Sequence, residues 1–164
     1  MTRRPGHARP PRQPTRLAID VAADGVRSPV ARADIAAIAA HVLRGERARD
    51  ALLSVTLVSA PAIARLNRRH LGHARSTDVI ALALSEGGRA RGVLGDIYVC
   101  PAVARVHAKR YGVSVREEVL RLVVHGTLHV LGWDHPEGER RMTSAMWRRQ
   151  EALLRAWKRR RRSA

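Results

Sequence analysis

A chain of 164 residues fits one compact domain with extended ends, and a hydrophobic content of 45% excludes a wholly disordered protein. The core must be aliphatic, because aromatic residues make up 3% and phenylalanine is absent. The formal charge of +17 favours polyanionic partners, and no apolar run reaches the roughly 18 residues that a membrane span needs.

Residues 1–15 contain Arg3, Arg4, Arg9 and Arg12 among four prolines and no acid, which reads as a disordered basic arm. A short strand is expected over Leu17–Val21. Pro29 stands near the start of a helix carrying Val30, Ile35, Ile38 and Val42, which Gly45 can end. Ala51–Val58 is apolar and β-branched, as a buried strand is. Pro61 opens a helix with Ile63, Leu66 and Asn67 that runs out at Gly72. Asp78–Leu84 and Leu94–Val99 read as an antiparallel strand pair around a turn at Glu86-Gly87-Gly88. Pro101 begins a helix closed near Gly112. Ser114-x-x-Glu117 is a capping box for a helix from Val115 to about Val130, with Gly132 suited to its left-handed end. A last helix is expected from Glu139 to Trp157, followed by the basic stretch 158–164. The organisation is thus an arm (1–15), one domain (16–157) and a basic tail (158–164). Its alternation of strands and helices points to an α/β or α+β layer structure.

Cys100 is the only cysteine, which excludes an intramolecular disulfide and a cysteine-based zinc site, and it reads as a small buried hydrophobe. No apolar segment follows the Arg- and Pro-rich start, so a signal peptide is not expected and the cytoplasm is the expected address. The basic ends suit RNA or another polyanion through arginine–phosphate pairing. A solubility role, or the codon bias of a GC-rich genome, accounts for them equally simply.

The informative stretch is His125-Gly-Thr-Leu-His129-Val-Leu-Gly132-Trp-Asp134-His135. Two histidines four apart on a helix project from one face, and Gly132 lets the chain turn back so that His135 reaches the same point. Three imidazoles leave a fourth position open, the arrangement of a catalytic zinc. The same spacing occurs in metzincin peptidases, where a general-base glutamate follows the first histidine. Gly126 takes that place here, and it either admits substrate near the metal or serves helix packing. Arg121 lies one turn before His125, where it could hold a scissile phosphate, and Asp134 either orients an imidazole or caps the turn.

This motif resembles the signature of the YbeY family of bacterial rRNA maturation factors. Leu66-Asn67, Ser76-Thr77-Asp78-Val79-Ile80 and Leu94-Gly95-Asp96-Ile97 appear in the family's order, so the resemblance covers about residues 17–155. It implies a mixed sheet of about four strands packed with helices, with the metal helix across one face. It also implies one zinc ion on His125, His129 and His135, and endoribonuclease activity on single-stranded RNA in rRNA processing and ribosome quality control. The catalytic candidates are then His125 and Arg121, and the partners are RNA, ribosomal particles and ribosomal or assembly-factor proteins. Two departures stand out: Ile80-Ala81-Leu82-Ala83 replaces the frequent Leu-Ser-Phe-Pro, and Leu71 stands where some members place an arginine implicated in catalysis. Either that arginine is not required, or Arg68, Arg69 or Arg75 substitutes for it. The competing readings are a metzincin-like metallopeptidase and a non-catalytic ribosome-assembly factor with a structural zinc.

Overall fold

The computed structural model describes residues 16–73, 76–85, 92–136 and 138–163. In chain order these form β1 (Arg16–Ala23), α1 (Arg32–Gly45), β2 (Asp50–Leu57), α2 (Ala60–Leu71), β3 (Val79–Ala83), β4 (Val93–Val99), α3 (Pro101–Tyr111) and α4 (Val115–Val130), then a 3-10 turn (Gly138–Thr143) and α5 (Ala145–Arg162). The sheet is mixed and four-stranded, in the order β1-β2-β4-β3. β1, β2 and β4 run parallel, and β3 pairs antiparallel with β4, as the strand pattern predicts. The arm expected over 1–15 and the Glu86–Gly88 turn lie outside the described residues.

Each parallel strand sends alternate side chains to one core. On β2, Ala51, Leu53, Val55 and Leu57 are buried while Leu52 is 56% exposed, which gives the sheet a covered face and a wetter one. The covered face carries α1 and α4, and α4 also meets α3 and α5, so it is the central helix. Such a position explains its composition. Val119, Leu120, Leu122, Val123, Val124 and Leu128 are all buried, leaving little of the helix to water.

Helix and strand approach closely because glycine stands on both. A Cβ on Gly126 of α4 would lie 2.8 Å from the Cγ2 of Ile97 on β4, and one on Gly95 of β4 would overlap the Val130 side chain of α4 and sit 2.9 Å from the Leu82 carbonyl oxygen. Of the two roles open to Gly126, helix packing is the one the structure supports. Its Cα faces the sheet.

The capping box forms only in part. The Ser114 hydroxyl accepts the Glu117 amide at 3.0 Å, but the Glu117 carboxylate turns to Arg121 and Lys158. The expected helix over Glu139–Trp157 is broken and shifted. A 3-10 turn occupies Gly138–Thr143, and α5 starts only after Ser144, whose hydroxyl accepts the Trp147 amide at 3.1 Å. α5 then runs through Trp157 to Arg162, so the boundary expected at 157–158 falls inside a helix. Ion pairs hold its end: Lys158 Nζ reaches Glu117 at 2.6 Å and Arg161 reaches Asp34 at 2.8 Å. Cys100 is fully buried, as expected of a small apolar side chain.

Candidate metal centre

α4 and the turn after it bring His125, His129 and His135 together. The helix supplies the first two on one face. It ends at Leu131, and Gly132 follows with φ +88, a left-handed conformation that costs glycine least. That reversal returns the chain so that His135 faces the helix it has just left.

The three Nε2 atoms face one another at 3.0 Å (His125–His129), 3.3 Å (His129–His135) and 3.4 Å (His125–His135). Three nitrogens on a tetrahedral zinc, each about 2.0–2.1 Å from the ion, are separated by roughly 3.3 Å. The spacing fits. Each Nδ1–H donates elsewhere: His125 to the Gln150 side-chain oxygen at 2.8 Å, His129 to the Trp133 carbonyl at 3.0 Å and His135 to the Pro136 carbonyl at 3.0 Å. These acceptors hold a proton on each Nδ1, so the Nε2 atoms are the ones turned toward a common point. Such a donor set suits a cation.

Electrostatics disfavour protonation of the two helical histidines, His125 and His129. Burial first, and then the neighbouring His129, push the His125 imidazole down to about 3. Burial and His135 lower His129 likewise. Gln150 opposes the shift at His125, because its oxygen stabilises the protonated ring. A group held unprotonated at neutral pH is ready to bind a metal without first losing a proton.

Gln150 belongs to a longer chain of hydrogen bonds. Its amide donates to Glu151 at 3.1 Å, and Arg121 closes on Glu151 through Nε at 3.0 Å. The remaining Arg121 nitrogens reach Glu118 at 2.9 Å and Glu117 at 3.1 Å. Arg121 is therefore on the predicted face, but three carboxylates engage its guanidinium. Asp134 accepts the amide of His135 at 2.8 Å, which is the turn-capping alternative. Asp96 lies on the opposite side of β4 from α4, where it takes a hydrogen bond from Ser54 on β2. Leu71, Arg68 and Arg69 are exposed on α2, and Arg75 lies outside the described residues.

A cavity of about 400 Å³ opens beside His125, lined also by Asp78, His107, Tyr111, Arg141 and Met142. On its wall, His107 Nδ1 stands 3.3 Å from the Asp78 carboxylate. Sequence reading missed Gln150, Arg141 and the Asp78–His107 pair. Gln150 did leave a signal, being a polar residue on the buried stripe of Met146, Leu153 and Leu154. Nothing distinguishes Arg141 among the many arginines of this chain until the fold is known.

A mixed four-stranded sheet, with three histidines converging at the end of its central helix beside an open cavity, defines a small α/β protein whose site could hold a metal ion. The family model described as endoribonuclease YbeY matches residues 23–158, and the chain belongs to that family. A protein of Thermobifida fusca named endoribonuclease YbeY is 37% identical over 154 residues, covering 87% of this chain and 96% of that protein. Its namesake in Beutenbergia cavernae is 39% identical over 123 residues, with 69% of this chain and 82% of the relative covered. The solution structure of TM1509 from Thermotoga maritima superposes with a TM-score of 0.63 at 29% identity, covering 88% of this chain and 92% of that one.

Proposed function

We propose that this chain is a zinc-dependent endoribonuclease that cuts single-stranded RNA in rRNA processing and ribosome quality control. Its site of action is the cytoplasm, on rRNA and ribosomal particles, with ribosomal or assembly-factor proteins as partners. The observation that carries the reading is the convergence of three Nε2 atoms, at the spacing of ligands on a tetrahedral zinc, beside an open cavity. No described helix is long and apolar enough to cross a membrane.

His125, His129 and His135 would hold one zinc ion. Bound there, zinc supplies a water of lowered pKa and a Lewis acid at a phosphoryl oxygen. The chain's own residues prepare the centre. Gln150 and the Trp133 and Pro136 carbonyls hold the imidazole protons on Nδ1, and burial keeps His125 neutral. In the cleavage, water oxygen joins phosphorus, one P–O ester bond breaks, and the released sugar oxygen takes a proton. Arg121 would have to release one of its three carboxylates to hold the scissile phosphate. In this reading it anchors Glu151, which holds Gln150 against His125.

The basic stretches 1–15 and 158–164, the second of them the end of α5, attract the polyanion to the folded body. Cleavage of single-stranded rRNA by metal-loaded protein, with His129→Ala purified identically, tests the reading. Cleavage by wild type that a chelator abolishes and the variant lacks is expected. Equal cleavage by both proteins would refute it.

A further inference from the structure

Apart from histidines, two cationic side chains among the described residues line the cavity beside His125: Arg121 and Arg141. The acidic groups on its wall have partners. Glu118 is answered by Arg121 at 2.9 Å, and Asp78 faces His107. Arg141 differs, because its Nε is buried with no hydrogen-bond partner among the described residues. A buried donor left unsatisfied costs about 1–3 kcal/mol, and more when it is charged, so such a group points to something that completes it.

The position of Arg141 is set by its backbone. Its carbonyl accepts the Ser144 amide at 3.2 Å and the Ser144 hydroxyl at 2.7 Å, and Ser144 caps α5. The same helix carries Gln150, the residue that orients His125. Arg141 and the His125 ring are thus placed by one rigid element. After burial and the neighbouring imidazoles, Arg141 is also among the causes that disfavour protonation of His125 and His129, as its proximity requires.

We propose that Arg141 is the phosphate-binding residue of this site, receiving a phosphodiester of single-stranded RNA in the cavity beside His125. The assignment rests on the endoribonuclease reading above. The unpartnered Nε is closed to solvent, so the side chain must turn toward the cavity it lines for Nε to reach a phosphate. A guanidinium meets a phosphate side-on through Nε and one terminal nitrogen, forming two parallel hydrogen bonds to two non-bridging oxygens. As phosphorus gains its fifth oxygen, charge on those oxygens rises, and the interaction strengthens where the reaction needs it. Lysine offers one point charge without the fork, so it cannot reproduce that geometry.

The test compares wild type with Arg141→Met, Arg141→Lys and Arg141→Ala, using the full chain. Metal content and melting temperature should stay at wild-type values in Arg141→Met, because no described residue hydrogen-bonds the Nε that is removed. kcat/KM on a short single-stranded RNA should fall about 100-fold in Arg141→Met, with Arg141→Lys recovering only part of it. Guanidinium ion added to Arg141→Ala should restore activity in a saturable way. Chelated protein, which does not cut, should bind an RNA trinucleotide roughly tenfold more weakly when Arg141 is replaced. Cleavage within twofold of wild type in Arg141→Met overturns the assignment, as does loss of metal in step with loss of activity. Should wild type leave RNA intact, the endoribonuclease reading fails by itself. Calorimetry of inorganic phosphate binding then decides Arg141 alone: weaker binding by Arg141→Met sustains it, and equal affinity overturns it.

Discussion

The His125 ring donates its Nδ1 proton to the Gln150 side chain at 2.8 Å, and this bond joins the candidate metal centre to α5. Gln150 is 1% exposed, so its oxygen has no water to turn to, and its amide is engaged by Glu151. Both ends of the amide are occupied, which fixes its orientation and that of the ring.

Replacing Gln150 with leucine should therefore weaken zinc binding by roughly 10–100-fold while leaving the fold in place. The ring would lose its acceptor and could rotate or change tautomer. Competition with a chromophoric chelator measures the affinity. An unchanged zinc dissociation constant would show that packing alone orients His125.

Gly126 sits where a metzincin carries its catalytic glutamate, and it faces Ile97 rather than the metal. Gly126→Ala gains up to about 1 kcal/mol of helix propensity. Its methyl meets Ile97 at 2.8 Å inside a filled core, where overpacking costs about 1–3 kcal/mol. The net change should be destabilising. Gly126→Glu should be far worse, burying a carboxylate against an aliphatic side chain and producing no peptidase. Urea denaturation of Gly126→Ala alone and in an Ile97→Ala background isolates the clash: the penalty should shrink in the double variant. A full penalty in that background would place the cause elsewhere.

His125 makes the metal-free protein sensitive to acid. Its folded pKa is about 3, against an unfolded value of 6.5, so between those limits the unfolded chain binds a proton that the folded one refuses. The contribution of His125 to stability is complete above pH 6.5 and is lost as pH falls toward 3, with a limiting slope of about 1.4 kcal/mol per pH unit. Chelated protein should show urea midpoints falling from pH 7 to pH 5. His125→Asn should flatten the decline, and a variant with the wild-type slope would assign it to other groups.

The metal motif was legible because its geometry is local: four residues of helix and a glycine turn suffice to bring three histidines together. Strand pairing of β3 with β4 was legible for the same reason, since both strands flank one short connection. Long-range relationships were not. Gln150 reaches His125 across 25 residues, and Arg149 reaches Glu46 across 103, through packing that no local pattern encodes. The 3-10 turn was hidden because Glu139-Arg140-Arg141-Met142 has good helix formers, while Ser144 restarts the helix with a cap of its own. Arg121 was placed correctly one turn before His125, yet its three carboxylates come from two helices, and Glu151 could be matched to it only in the folded chain.

The clustered arginines at the end of α5 should divide into two kinds. Lys158 and Arg161 are tied to Glu117 and Asp34, whereas Arg159, Arg160 and Arg162 are exposed and carry no ion pair with the described residues. Replacing Lys158 and Arg161 with glutamine should cost roughly 1 kcal/mol or less per pair, since water reaches about half of each cationic side chain. The same change at Arg159, Arg160 and Arg162 should leave the melting temperature unaltered. It should instead flatten the salt dependence of RNA binding, by about 0.7 in the log–log slope for each phosphate of a single strand that is no longer neutralised. Removal of residues 1–15 should act like the second set if that arm also meets phosphate. Anisotropy titrations at several salt concentrations, paired with thermal melts, separate the effects. Were the exposed set to change stability and leave the slope intact, the end of α5 would be a structural strut, and RNA binding would belong to the cavity and the folded body around it.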